Sequence, residues 1–180
     1  MKKRAYLGAV LAGWGILLAG CQRADRSSEC VLVESDFEQF EGWVTPLPAV
    51  LSTEHVHSGR YAEHLADGML YGPPHLTALS KCGFVPRRLR LRAWVYLPSG
   101  RIRSTNIIVE IDCHGRRPNI WTGLEIEQTV RRYQKWERVQ KYIQLPADME
   151  ASDELKMYLW HPETNGENLW LDDIQLTGER

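Results

Sequence analysis

The 180-residue sequence lacks an excess of either charge: 22 Lys and Arg stand against 23 Asp and Glu, a net of −1. That excludes the basic surplus expected of a nucleic-acid-binding surface. It also lacks an apolar run of the roughly 20 residues that a membrane-spanning helix needs. Its longest apolar stretch, Ala5 to Leu18, is shorter and interrupted by glycine. Strong helical periodicity, internal repeats and low-complexity segments are missing, which removes helical bundles and solenoids. Neither GxSxG nor HExxH occurs, so a nucleophile elbow and a zincin site have no sequence basis. Cysteine is sparse: Cys21, Cys30, Cys82 and Cys113 form no CxxC pair and no zinc-knuckle spacing.

What is present begins with an export signal. Lys2, Lys3 and Arg4 precede the apolar run, which ends in Leu18-Ala19-Gly20-Cys21. This ending resembles the lipobox of bacterial lipoproteins at all four positions. The resemblance implies cleavage before Cys21, acylation of its thiol and a lipid anchor in the bacterial cell envelope. An ordinary secretory signal with a chance cysteine is the alternative. Gln22, where an Asp would retain the protein at the inner membrane, points to the outer membrane. Loss of residues 1–20 lowers Lys+Arg from 22 to 19 and brings the net charge to −4. Residues 21–29 read as a polar tether and 30–180 as one domain of ordinary size. An exported chain permits disulfides. A Cys30–Cys82 bridge is one arrangement, and three free thiols are another.

The domain reads as strands throughout. "RLRLRAWVYLP" is the clearest, with Leu89, Leu91, Ala93, Val95 and Leu97 on one side and Arg88, Arg90, Arg92, Trp94 and Tyr96 on the other. "NIIVEID", "NIWTGLEIE", "WERVQKYIQLP", "ELKMYLW" and "NLWLDDIQL" follow, each bounded by turn residues. Only "IEQTVRRYQKWERV" is ambiguous, as a turn of helix or a long connection. Eight or more strands without βαβ alternation predict an all-β, two-sheet sandwich of the jelly-roll kind. Within the last strand, Trp170, Ile174 and Leu176 are expected to share a face with Asp172.

The order of "DFEQFEGW", "HVHSGRYAEHL", "LRLRAWVYLP", "KWERVQKYIQLP" and "NLWLDDIQLTG" resembles the galactose-binding-like jelly rolls, in particular the CenC-type carbohydrate-binding modules. The resemblance implies a non-catalytic module that binds glycan. It also implies a structural Ca²⁺ where the first and last strands meet, held by Asp172 with Asp36 or Glu38, since Ca²⁺ takes 6 to 8 oxygen ligands. An arginine such as Arg60, or backbone N–H groups, would also satisfy an inward Asp172, which otherwise would be exposed.

Sugar recognition needs aromatic planes beside forked hydrogen-bonding groups. Arg90, Arg92 and Trp94 with Glu110, Tyr158 and Trp160 are the expected ligand surface. Tyr71 and His75, in "GMLYGPPH", form a second candidate. The same Arg, Trp and Tyr composition suits docking of a protein partner. A carboxylate pair drawn from Glu110, Asp112, Glu125 and Glu127 would be needed for glycoside hydrolysis. His55 and His57 could join a metal site only with a third ligand. Cys113 and His114, adjacent on a strand, point apart and make a poor dyad.

Overall fold

Period-two alternation sets ten antiparallel strands in the computed structural model, which describes residues 28–40, 48–163 and 166–180. The expected signal peptide, Cys21 and the expected tether up to residue 27 lie outside the described residues. The strands are β1 (Glu29–Ser35), β2 (Leu51–Ser52), β3 (Ala62–Leu65), β4 (His75–Ala78), β5 (Arg88–Tyr96), β6 (Asn106–Asp112), β7 (Ile120–Glu125), β8 (Trp136–Gln144), β9 (Glu154–Trp160) and β10 (Leu169–Glu179). The ambiguous stretch resolves into one helical turn, α1 (Ile126–Thr129), followed by a loop into β8.

The strands form two sheets. One has six strands in the order β2-β3-β10-β5-β8, with β1 also paired to β10; the other has four, β4-β9-β6-β7. The two-sheet sandwich expected from the sequence is the observed fold. β10 is the spine of the larger sheet: β5 lines one side of it, while β3 and β1 share the other. Between the sheets lies one core, built from Leu89, Leu91, Ala93 and Val95 of β5, Ile107, Val109 and Ile111 of β6, and Leu155, Met157 and Leu159 of β9. Complete removal of such side chains from water is the main drive for closing the sandwich.

Cys30 and Cys82 form a disulfide, which ties the start of β1 to the 3₁₀ turn Leu79–Cys82. Gly178 sits beneath it. A Cβ there would lie 3.0 Å from the Cys82 sulfur and 2.8 Å from Pro86. Cys113 is a buried free thiol.

The expected face of β10 is corrected by a bulge. Asp172 is opposite Trp94 and Gln175 opposite Arg92, so three steps along β10 match two along β5. The extra residue, Asp173, takes the left-handed conformation with φ 46°, and an inserted residue of this kind re-aims what precedes it. Trp170 and Asp172 therefore share the outward face with Tyr96 and Trp94, whereas Leu171, Ile174 and Leu176 enter the core.

Candidate functional site

The outward face of the four-stranded sheet gathers aromatic rings. Across the register, Trp121 of β7 is opposite Glu110 of β6, which is opposite Lys156 of β9. One row along, Gly123, Ile108 and Tyr158 align; beyond them Glu125, Asn106 and Trp160 align. Tyr71 extends the sheet by bridging to Trp160, supported by Gly72 N–H donating to the Leu159 carbonyl at 2.9 Å. Trp121 and Trp160 meet edge-to-face, centroids 5.5 Å apart, and Tyr71 lies 6.1 Å from Tyr158. The Trp121 indole N–H donates to the Tyr158 hydroxyl at 3.4 Å.

The platform is open to solvent. Trp121 is 55% exposed and Tyr71 58%. Ile108 points outward yet is fully buried, and it lies outside the inter-sheet core cluster, so it underpins the rings around it. Gly123 makes room for it, because a Cβ there would meet the Ile107 carbonyl at 2.6 Å. A cavity of about 330 Å³ opens among Tyr71, Gly72, Pro74, Lys156 and Tyr158. The Lys156 ammonium sits 5.0 Å over the Tyr158 ring. Among the described residues Glu110 has neither a hydrogen bond nor an ion pair. Ring faces, an unengaged carboxylate and an ammonium can together stack against and hydrogen-bond a polyhydroxylated ring.

Glu110, Tyr158 and Trp160 are thus brought together, and Tyr71, expected at a separate site, joins them. His75 does not: it is opposite Met157 and contacts Phe37, with its pKa lowered by burial. Arg90, Arg92 and Trp94 lie on the other sheet, across the core, so the six expected ligand residues do not form one surface. Period two separates in from out but does not assign a strand to a sheet. Arg90 is paired with Glu29 at 2.7 Å and with Glu179 at 3.4 Å. Arg92 donates to the Gln175 amide oxygen. One ring face of Trp94 is stacked against His57, with centroids 4.0 Å apart and planes 17° from parallel. Trp121 was not among the expected residues. Its signal was the alternation of Trp121, Gly123 and Glu125 on one side of a strand.

The expected calcium ligands do not converge. Asp172 accepts from the backbone N–H groups of His57 at 2.9 Å and Ser58 at 3.1 Å, and from Asp173 N–H at 2.8 Å. Burial raises its pKa, opposed by those hydrogen bonds. Glu38 accepts from Arg60 N–H at 2.7 Å and Tyr61 N–H at 2.8 Å, and Asp36 from Glu38 N–H at 3.2 Å. Backbone N–H donors take both oxygens of Asp172 and one each of Glu38 and Asp36, a donor set that does not fit Ca²⁺. Among the described residues no three His, Cys, Asp or Glu side chains converge as a metal site. His57 instead bonds Asp173 through Nδ1 at 2.5 Å, and His55 stacks on Tyr96. Of the acids considered for hydrolysis, Glu127 caps Ser104 and Thr105 N–H groups, and Asp112 accepts from His114 N–H.

No protein-family model and no curated protein matches the sequence. Solved structures do match. A family 16 carbohydrate-binding module aligns over 82% of this chain and 99% of its own, with TM-score 0.53 and 17% identity. The fold is the carbohydrate-binding-module jelly roll. The C-terminal family 22 module of Clostridium thermocellum Xyn10B matches over 83% of this chain and 93% of its own, with TM-score 0.50 and 14% identity. A xylan-binding domain of family 22 matches over 83% and 95%, with TM-score 0.50 and 12% identity. These neighbours are binding modules rather than catalytic domains.

Proposed function

We propose that this chain is a non-catalytic glycan-binding lipoprotein of the bacterial cell envelope, carried on acylated Cys21 in the outer membrane. Its ligand lies on the outward face of the four-stranded sheet. The observation that carries the reading is the cluster of Tyr71, Trp121, Tyr158 and Trp160 beside a carboxylate, Glu110, that has no partner among the described residues. Rings stack on the C–H faces of the sugar, while Glu110 accepts from its hydroxyls and Lys156 donates to them. No bond is broken; binding energy goes into retention.

The description of one structural neighbour as a xylan-binding domain makes soluble xylan the first probe. Calorimetric titration of the full chain in detergent, with xylan and then a panel of plant and bacterial polysaccharides, tests the proposal. Trp121→Ala and Tyr158→Ala are each expected to weaken binding about tenfold or more, as for the ring anchors of other interfaces. Absence of binding to every polysaccharide would overturn it. One observation favours a second reading, docking of a protein partner on the same sheet: Leu76 on β4 is 74% exposed. Loss of a co-purifying protein in Leu76→Asp, without any glycan affinity, would favour that reading instead.

A further inference from the structure

The outward face of the six-stranded sheet carries a cavity of about 640 Å³, on the opposite side of the core from the aromatic platform. It falls within the size range of small-ligand sites. Its walls are Glu34, Ser35 and Asp36 from the end of β1, Gln39 from the 3₁₀ turn that follows, Arg92 and Trp94 of β5, Arg138 of β8, and Asp173 and Gln175 at the bulge. The bulge shapes the cavity, because the extra residue shifts Gln175 into line with Arg92 on one side and Glu34 on the other.

The acids and bases in this cavity are unequally engaged. Glu34 accepts from the Gln175 amide at 2.9 Å. Asp36 accepts from backbone N–H, and Asp173 is held by His57 and by the Ser58 hydroxyl at 2.6 Å. Among the described residues Arg92 reaches only a neutral amide oxygen. Arg138 is exposed and, among the described residues, has no hydrogen bond, ion pair or ring contact. Other outward arginines of this sheet differ: Arg88 is paired with Glu179 at 2.5 Å and Arg90 with Glu29. Arg138 is opposite Trp94, and Arg92 is opposite Gln140. The two guanidiniums are therefore diagonal neighbours, about 7–8 Å apart at the backbone, close enough to converge on one small anion.

We propose that this cavity is a second saccharide site, selective for a sugar that carries a carboxylate, with Arg92 and Arg138 taking the carboxylate. Guanidiniums match carboxylates in fork geometry. The amides of Gln39 and Gln175 and the oxygens of Glu34 and Asp36 supply partners for ring hydroxyls, and Trp94 lines the wall beside the ring. The acids also set the class. They repel a polyphosphate but accept the hydroxyl donors of uronic-acid rings, each of which carries one charge beside several hydroxyls. The near-balanced charge of the chain likewise offers no long-range attraction for nucleic acid or polyphosphate. This site and the platform stand on different residues and different sheets, so either can fail alone.

The test is calorimetric titration of the full chain in detergent with trigalacturonic acid, with the neutral trisaccharide galactotriose and with inorganic phosphate. Trigalacturonic acid is expected to bind, more weakly as salt rises, and galactotriose to bind at least tenfold more weakly at this site. Arg138→Glu is expected to abolish the trigalacturonate signal, and Arg92→Gln to weaken it about tenfold. Arg138 has no partner to lose, so its variant is expected to melt with the parent; the melting curve separates a binding loss from unfolding. The proposal is overturned by no trigalacturonate binding, by equal affinity for phosphate, or by an Arg138→Glu protein that still binds. Loss of the signal in Trp121→Ala but not in Arg138→Glu would assign the acidic sugar to the platform and would overturn it equally.

Discussion

Glu63 is a carboxyl group enclosed in the sandwich. It lies on β3 opposite Leu171, is 1% exposed, and its Oε1 has no hydrogen-bond partner. Burial raises its pKa from 4.5 to about 8. An acid whose folded pKa exceeds its unfolded value stabilises the fold only while protonated. That contribution is complete below about pH 4.5 and declines as the pH rises through about 8. The melting temperature is therefore expected to fall between about pH 5 and about pH 9, with a loss on the order of a few kcal/mol. Glu63→Gln, which keeps the shape without the charge, is expected to flatten that profile. A profile unchanged in the variant would assign the pH dependence elsewhere. Gly72 belongs to the same packing, since a Cβ at that position would collide with the Glu63 carboxyl. The glycine beside Tyr71 is thus demanded from behind the platform.

At the scale of elements, the bulge in β10 organises the outer face of the larger sheet. It turns Asp172 outward, where its carboxylate holds the 57–58 backbone against the strand and His57 against Trp94. Asp172→Ala leaves three N–H groups, those of His57, Ser58 and Asp173, without that acceptor and is expected to cost about 1–3 kcal/mol in chemical denaturation. It should also release His57 from the Trp94 ring, read as a change in tryptophan fluorescence. The alternation of β5 was legible in the sequence because its four inward apolar and five outward positions run unbroken. The inward reading of Asp172 failed because a single left-handed residue, Asp173, breaks the phase, and an aspartate in that conformation leaves no mark in a hydrophobic pattern. The partition of the ligand residues failed for a different reason. Which sheet a strand joins depends on long-range pairing, so Arg92 on β5 and Glu110 on β6 looked adjacent in the chain and lie on opposite sides of the core. Half of the platform, Glu110, Tyr158 and Trp160, was nevertheless readable, since outward aromatics on β9 need only period two to be recognised.

For the whole molecule, the Cys30–Cys82 bridge closes a loop with a sequence separation of 52. Chain-entropy reasoning gives such a loop about 4 kcal/mol of stabilisation through the unfolded state. Reduction, or Cys82→Ser, is expected to lower the melting temperature by about 10 °C, with glycan affinity on the platform retained wherever the fold persists. A melting curve indifferent to reductant would mean that the bridge adds nothing beyond the packing around Gly178.

β10 follows the other nine strands in the chain and is the partner that β1, β3 and β5 have in common. Until those eleven residues emerge from the ribosome, β1 has no strand to pair with in the larger sheet and β3 has only the two-residue β2. Closure joins residues as distant as Cys30 and Gly178, a topology that folds slowly. Order of synthesis thus delays compaction of the larger sheet, which, for a chain exported as proposed above, keeps the polypeptide threadable until its last strand is made.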